Sequence, residues 1–285
     1  MVNYGIEDKQ IVTYIQKLRY SEKSEHTLEK YRRDITRFSK FIGERQITKE
    51  LVLEYKESIR KDYEPVSVNS MLAAVNGFLK DLGYSNCCVK NIKIQRRIFC
   101  DENQEITKSE YLRLLATAKS RGKERLNLIL QTICSTGIRV SELEYITVEA
   151  VQRGKAEVSC KGKIRVIFLS KNLSKILLKY VKSLGIKDGS VFVTKGGLPV
   201  NRSNIWREMK CLCREAKVDS SKVFPHNLRH LFARTYYKLK KDVVRLAGIL
   251  GHSSIETTRI YLLDSGKECL AHVSQMGLVS MELSV

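Results

Sequence analysis

Apolar residues recur every three to four positions through most of the first hundred residues, which is the spacing of amphipathic helices. Ser24 can cap one such helix and Gly43 can end it, around a stripe made of Leu28, Tyr31, Ile35, Phe38 and Ile42. A second stripe follows Thr48, a third runs from about Ser67, and an earlier helix is expected over residues 8–18. The pattern predicts a small helical bundle with these stripes as its core.

The helical periodicity stops near residue 90 and resumes after residue 104, which indicates two domains. Segment 91–104 is basic, then acidic, and has no helical repeat, so we expect a linker between a domain over residues 1–90 and another over residues 105–285. Thr107 and Glu110 are spaced as a capping box at the start of the second domain.

One stretch of the second domain has the period of two that is typical of strands. Around a turn at Gly162, apolar residues alternate on two runs, Ala156, Val158 and Cys160 and then Ile164, Val166 and Phe168. This predicts a β-hairpin. A short strand is also expected at residues 191–193, and helices resume after Ser203. The predicted fold class is therefore mainly α with a small β-hairpin in the C-terminal domain (α+β).

Charge narrows the choice of partner. The chain of 285 residues carries 51 lysines and arginines against 31 aspartates and glutamates, a formal net charge of +20. Both domains share the excess, with 19 basic against 13 acidic side chains in residues 1–100 and 32 against 18 in the remainder. Such a protein attracts polyanions, because each phosphate it neutralises releases condensed counterions. We expect two domains that clamp double-stranded DNA, with an anionic membrane surface as the alternative.

No targeting or membrane signal is evident in the sequence. No apolar run is long enough to span a bilayer, and the first ten residues lack the apolar segment of a signal peptide. The eight cysteines lack the spacing of a zinc site and fit a reducing compartment. These observations predict a cytoplasmic, nucleoid-associated protein with no metal, no cofactor and no membrane partner.

The string His226-Asn227-Leu228-Arg229-His230 is the first candidate for chemistry. Residues 226 and 229 share a helix face, where a guanidinium can bind two phosphoryl oxygens and an imidazole can donate to a third or move a proton. His226 and His230 are four residues apart and could equally be metal ligands or an ordinary helix face.

Three other stretches can complete a phosphate pocket. Arg139 precedes Glu142 by three residues, so the carboxylate can hold the guanidinium in place, although a surface ion pair is the alternative. His252 is expected in a loop beside helix ends, where backbone N–H groups are free, and Tyr261 lies nine residues further on. Lys161 precedes the hairpin glycine.

The order of these residues resembles the tyrosine recombinase family of phage integrases, Xer-type resolvases and transposon integrases. Four strings carry the resemblance: Thr-Gly-Ile-Arg-Val-Ser-Glu-Leu (136–143), Lys-Gly-Lys-Ile-Arg-Val (161–166), His-Asn-Leu-Arg-His (226–230) and Leu-Gly-His-Ser-Ser-Ile-Glu-Thr-Thr-Arg-Ile-Tyr (250–261). The N-terminal bundle resembles the core-binding, SAM-like domain of the family, and the chain resembles a short form without an arm-binding domain. The six active-site positions of the family fall on Arg139, Lys161, His226, Arg229, His252 and Tyr261.

Phosphoryl-transfer chemistry gives these residues roles. Arg139 and Arg229 are expected to bind the nonbridging phosphate oxygens, with His252 as a further donor. His226 is expected to act as general base for the hydroxyl of Tyr261, whose ordinary pKa is about 10. Lys161 would protonate the leaving 5′ oxygen, and Lys163 is its rival because the hairpin turn is one residue shorter than is common in the family.

The resemblance also implies a function and an assembly. The expected product is a 3′-phosphotyrosyl bond, formed without metal or ATP, in a tetramer on two synapsed duplexes. Segment 265–285 would dock on a neighbouring subunit through Leu270, Val273, Met276 and Leu278, or cap its own domain instead, and accessory DNA-bending proteins are further candidate partners. A type IB topoisomerase and a catalytically inactive DNA-binding regulator are the alternative functions. The target site, and the choice among integration, excision, resolution and inversion, stay open.

Overall fold

The computed structural model describes residues 5–95, 102–160, 163–194, 196–262 and 266–276, and the chain divides into two compact units, Met1–Arg96 and Arg97–Val285. The described part is mainly helical with one small antiparallel sheet, as the sequence predicts. Within it, no helix combines the length and the apolar character needed to cross a membrane.

The first unit is a helical bundle, which confirms the prediction from the apolar stripes. Its helices are α1 (Asp8–Tyr20), α2 (Glu25–Ile42), α3 (Lys49–Asp62) and α4 (Pro65–Asp81). Helix α4 begins two residues before the predicted start at Ser67, because Pro65 occupies a first-turn position where its fixed φ suits a helix and its missing N–H costs nothing. The side chain of Thr48 caps α3 as expected, accepting from the backbone N–H of Leu51 at 3.2 Å.

The core of the first unit consists of the predicted stripes. Buried apolar side chains from the four helices include Ile11, Ile15, Leu28, Ile35, Phe38, Ile42, Val52, Tyr55, Leu72, Val75, Phe78 and Leu79. Two asparagines of α4 also bind the segment that follows it. Asn76 exchanges two hydrogen bonds with the backbone of Val89, and Asn69 exchanges two with that of Ile92. The start of the predicted linker is thus bound to α4.

The second unit is built from helices around one hairpin. Its helices are α5 (Lys108–Ser120), α6 (Glu124–Thr136), α7 (Val148–Arg153), α8 (Lys171–Ser183), α9 (Arg202–Ala216), α10 (Pro225–Lys240), α11 (Val243–Leu250), α12 (Ile255–Arg259) and α13 (Gly266–Gln275). Short 3-10 turns cover Val140–Tyr145 and Ile260–Leu262. The capping box of Thr107 and Glu110 is present at the start of α5. The predicted strand at 191–193 is wrong, since Val193 makes only an isolated bridge to Pro199.

The predicted hairpin is present as β1 (Lys155–Cys160) and β2 (Lys163–Phe168). Ala156 and Val158 of β1 face the core, opposite Ile167 and Arg165 of β2. The alternating apolar residues of β2 face outward, and Phe168 is 71% exposed. Strand β2 is apolar on both faces, so alternation alone does not identify its inner face.

Candidate functional site

The site begins where helix α6 ends. Gly137 ends the helix with a φ of 66°, and a Cβ there would lie 2.5 Å from the ring of Phe232, so both the backbone and the space require glycine. Arg139 follows directly. The carboxylate of Glu142 accepts from its backbone N–H at 2.8 Å and from its Nη1 at 2.9 Å. The turn therefore orients Arg139 through one fixed carboxylate.

A second arginine reaches the same carboxylate from the hairpin. Arg165 forms an ion pair with Glu142 and donates from Nη1 to the carbonyl of Ile249 at 2.8 Å. Burial alone would raise the pKa of Glu142, but its hydrogen bond to the backbone of Arg139 and the two guanidiniums bring that pKa below its ordinary value. Glu142 is thus a buried carboxylate that holds two cations, and sequence analysis did not assign Arg165 to the site.

Arg229 lies at the centre of the site and is 1% exposed. Its Nη1 donates to the carbonyl of Gly137 at 2.5 Å, and its Nη2 donates to the carbonyl of Leu250 at 2.6 Å. Burial, and next the charge of Arg139, lowers its pKa to about 10, so the guanidinium stays charged at neutral pH. Its Nε has no hydrogen-bond partner within the described residues. The fold fixes this guanidinium before any ligand binds.

His252 lies in the loop between α11 and α12, as predicted from the glycine before it. Its Nε2 is 3.0 Å from Nη2 of Arg229, and its Nδ1 is 2.8 Å from the hydroxyl of Thr258. A guanidinium only donates, so Nε2 accepts and the proton resides on Nδ1. Burial, and next the charge of Arg229, lowers the pKa of His252 to about 4, so its ring is neutral at pH 7. Without DNA, Nε2 of His252 therefore accepts a hydrogen bond from Arg229.

Tyr261 lies in the 3-10 turn that follows α12 and is 5% exposed. Three imidazoles surround its ring, with centroid distances of 4.4 Å to His230, 5.5 Å to His252 and 6.0 Å to His226. The hydroxyl is 3.4 Å from Nε2 of His226, at the long end of hydrogen-bond geometry. The phenol is therefore held on several sides, with its oxygen beside one candidate base.

His226 lies in the first turn of helix α10, one residue after its start at Pro225 and three residues before Arg229. Partial burial of the imidazole is the main cause that lowers the pKa of His226 to about 4, and the neighbouring basic side chains of His230, Arg229 and Arg139 lower it further. The residue as a whole is nevertheless solvent-exposed. Its ring is 4.8 Å from that of His230 and roughly perpendicular to it. A neutral imidazole at pH 7 can accept a proton from Tyr261.

The structure brings together five of the six residues predicted from the sequence. Contacts link Arg139, His226, Arg229, His252 and Tyr261 into one cluster formed by α6, α10, α11 and α12. The sixth, Lys161, lies outside the described residues, and its rival Lys163 opens β2 opposite Cys160. Sequence reasoning missed Thr258 and Glu105 as partners of the site histidines. Within the described residues no cluster of three or more histidine, cysteine or acidic side chains is arranged to hold a metal ion.

Comparison with known proteins places this helical architecture and basic pocket in a family. Residues 104–267 match the phage integrase family, and residues 11–83 match the phage integrase N-terminal SAM-like domain. Since the first match alone covers more than half of the chain, the chain belongs to the phage integrase family. The resemblance found in the four strings is confirmed.

Two curated relatives are tyrosine recombinases. XerH of Campylobacter jejuni is 38% identical over 143 residues, which are 48% of this chain and 40% of that protein. XerD of Halalkalibacterium halodurans is 26% identical over 264 residues, which are 84% of this chain and 87% of that protein. The first similarity is stronger but local, whereas the second extends over most of both proteins.

Solved structures support the fold. A lambda integrase (75–356) dimer bound to a COC′ core site matches with a TM-score of 0.74 and 18% identity, covering 98% of this chain and 99% of that one. A lambda integrase tetramer bound to a Holliday junction matches with a TM-score of 0.69 and 19% identity, covering 89% and 76%. At these identities the likeness establishes the two-domain architecture.

Proposed function

We propose that this protein is a site-specific DNA recombinase that cuts and rejoins DNA through a 3′-phosphotyrosyl bond on Tyr261. The observation that carries the proposal is the convergence of Arg139, Arg229 and His252 beside a buried tyrosine whose hydroxyl faces His226. A phosphodiester is anionic, and attack on phosphorus adds negative charge to its equatorial oxygens. A prearranged set of cationic donors stabilises that charge without reorganising during the reaction.

The two arginines bind the phosphate. Arg139 approaches from the turn after α6, and Arg229 from α10, so the two guanidiniums are fixed by different elements. A phosphate that binds between them takes over the contact between Arg229 and His252. Its negative charge favours the protonated imidazole. His252 then changes from acceptor to donor and binds a phosphate oxygen.

The chemical step is a transesterification. The oxygen of Tyr261 forms a bond to phosphorus while the bond from phosphorus to the 5′ oxygen breaks. His226 takes the phenolic proton, and Lys161 gives a proton to the leaving 5′ oxygen, with Lys163 as its rival. The phosphotyrosyl bond retains the diester, so a 5′ hydroxyl of another strand can reverse the step without ATP. No cofactor takes part in this scheme.

The first unit supplies the second DNA contact. On its helix α2, a pocket of about 560 Å³ is lined by four cations, namely Arg32, Arg33, Arg37 and Lys40, together with Glu29 and Thr36. Such a surface binds backbone phosphates. We propose that residues 1–90 and 105–285 act as two DNA-binding domains joined by 91–104, and that the protein acts on DNA in the nucleoid.

Helix α13 supports the proposed tetramer. Leu270, Val273 and Met276 are 58–67% exposed, and this uncovered apolar face supports docking on a partner rather than on its own domain. Leu278 lies outside the described residues.

An apolar groove of about 310 Å³, formed by α5, α6 and α10, is lined by residues that include Tyr111, Leu231, Phe232, Tyr236 and Leu239. We propose that α13 of a second copy docks in this groove when four subunits assemble on synapsed DNA. Accessory DNA-bending proteins are additional proposed partners.

Covalent capture tests the proposal and selects a target sequence in the same experiment. The protein is incubated with nicked duplexes that carry a randomised central segment, and DNA attached to protein under denaturing conditions is sequenced. We expect enrichment of one inverted-repeat sequence, called here the selected duplex. Tyr261→Phe should bind that duplex but yield no covalent product. Covalent capture by this variant, or none by the wild type, would refute the proposal.

Strand exchange then separates recombinase from topoisomerase. Two labelled duplexes that carry the selected sequence should exchange ends, and they should form a four-subunit complex. Relaxation of supercoiled DNA by a monomer without exchanged products would favour the type IB topoisomerase. Binding of the selected sequence without cleavage by the wild type would favour the inactive regulator.

A further inference from the structure

Glu105 lies at the start of the second unit, far along the chain from the motifs that carry the active site. The side chain is mostly buried, at 17% exposure, between two residues of helix α10. Its Oε1 is 3.0 Å from Nδ1 of His230, and its Oε2 is 3.3 Å from Nη2 of Arg234. A buried carboxylate is costly unless it is paired, so this placement is a specific feature of the fold.

The segment before α5 is attached to α10 along one line of side chains. Asn227 donates to the carbonyl of Gln104 at 2.7 Å, and Arg234 donates to the carbonyl of Ile106 at 2.8 Å. His230 lies between these two residues on the helix, and Glu105 lies between the two carbonyls. Helix α10 therefore has two functions. It carries the pocket residues His226 and Arg229, and it binds the segment before α5 through Asn227, His230 and Arg234.

His230 joins Glu105 to the nucleophile. Burial alone would raise the pKa of Glu105, but the hydrogen bond from His230 and the charges around it bring that pKa below its ordinary value, so Glu105 is ionised. An ionised carboxylate only accepts, hence Nδ1 of His230 carries a proton and donates it. This bond fixes the imidazole plane, and that plane meets the ring of Tyr261 at 77° with centroids 4.4 Å apart.

We propose that Glu105 and His230 are a positioning pair that holds the ring of Tyr261 in line for attack on phosphorus, a role that rests on the proposed function. Neither residue touches the phosphate. Glu105 orients His230, and His230 forms the wall against which the Tyr261 ring packs. Loss of this wall lets the phenol rotate about its side-chain torsions, so fewer molecules present the oxygen at the attacking position.

Double-mutant rates on the selected duplex test this coupling. At saturating protein, we expect Glu105→Ala and His230→Asn each to slow covalent-complex formation roughly tenfold while noncovalent DNA binding stays within about twofold. The double variant should be no slower than His230→Asn alone, because Glu105 acts through His230. Multiplying rate losses would indicate independent structural effects and overturn the proposal, as would cleavage by Glu105→Ala at the wild-type rate.

Lys222→Met is the matched control for general loosening of the unit. Lys222 pairs with Glu110 at 3.3 Å, with similar burial, and within the described residues its ammonium has no hydrogen bond or ion pair with a site histidine. We expect this variant to cleave at the wild-type rate, and equal slowing in it would also overturn the proposal.

An NMR spectrum of the free protein tests the pairing of Glu105 with His230 without DNA. With ¹⁵N-labelled histidine, His230 should show a protonated Nδ1 that changes in Glu105→Ala, whereas Lys222→Met should leave the signal in place. An unchanged His230 signal in Glu105→Ala would refute the pairing. A wild-type protein that shows this signal but never cleaves DNA would refute the proposed function instead, so the two failures are distinguishable.

Discussion

The two units bury charge in different ways. In the first unit, Asp34 is the buried charged residue among those described, and its partners Lys30 and Arg33 have side chains that are 27% and 69% exposed. In the second unit, Arg229 and Glu142 are both buried and held by fixed protein groups. The charge of Asp34 is paired with cations that reach water, whereas the charge of Arg229 is buried against backbone carbonyls before a ligand binds.

This difference assigns the two units different tasks. Desolvating a guanidinium costs stability, and the carbonyls of Gly137 and Leu250 offset only part of that cost. In return, the cation is already oriented and dry when charge develops on a phosphate. The first unit has no such group within its described part, which fits a role in holding DNA through hydrated surface cations. We therefore expect buried charges to control cleavage in the second unit and only stability in the first.

Among the buried charges, the largest effect is expected from Arg229→Met, which keeps much of the side-chain volume and removes the charge. Loss of a prearranged donor should slow covalent-complex formation on the selected duplex by about 10³-fold. Two buried carbonyls lose their donor, but a buried charge also disappears, so urea unfolding should show a loss of only about 2 kcal/mol.

Arg125→Met is the matched control for this variant. Arg125 also donates to a backbone carbonyl, that of Val193 at 2.9 Å, and pairs with Glu208 at 2.8 Å. It should lose comparable stability and keep the cleavage rate. A similar rate loss in both variants would show that general destabilisation accounts for the effect.

A smaller effect is expected from Glu142→Gln, which loosens Arg139 and Arg165 without removing either. We expect cleavage to slow about tenfold through misorientation of Arg139, and stability at pH 7 to fall by about 1–3 kcal/mol. The folded-state pKa of Glu142 is lowered, so its contribution is fully present above the unfolded value of about 4.3 and is lost as pH falls through the folded value. Urea unfolding of both proteins should therefore differ most above about pH 5 and converge in acid. A stability gap that does not change with pH would contradict this assignment.

The pH dependence of His252→Gln is a weaker but more specific test. Its folded pKa of about 4 lies below the unfolded value of about 6.5, so between these values the unfolded chain binds more protons. Wild-type stability should therefore rise with pH across this window. His226 contributes in the same direction. Removing one imidazole should make the rise shallower in unfolding curves measured at several pH values, and an unchanged slope would show that His252 is as accessible to protons as in the unfolded chain.

Sequence patterns predicted the helical bundle and the hairpin because their signals are local. Apolar spacing determines a helix face, and Thr48 satisfies its cap within three residues. Local spacing does not identify the inner face of β2, because apolar residues occupy both faces and an inward Arg165 pairs with Glu142. Only the tertiary partner identifies the inner face there.

The candidate site was predicted as a list of residues, but its organisation was not predictable. Four strings pointed to the pocket, whereas Glu105 lies 125 residues from its partner His230 and belongs to no recognisable motif. The tautomer of His252 likewise depends on its contact with Arg229, which lies 23 residues away on helix α10. Contacts between distant segments leave no periodic signal in a single sequence.

The smallest effect on cleavage is expected from Asp34→Asn in the first unit. This variant tests directly whether a buried charge of that unit affects the chemical step. Lys30 binds Asp34 at 2.7 Å and the carbonyl of Ser70 at 3.1 Å, so the carboxylate helps to join α2 to α4. Because both cationic partners reach water, removing the charge should cost only about 1–2 kcal/mol in urea unfolding. At saturating protein, covalent-complex formation on the selected duplex should keep its wild-type rate. A rate loss at saturation, with the protein folded and bound, would mean that the buried charge of the first unit also acts on the chemical step, and the division of tasks between the units would fail.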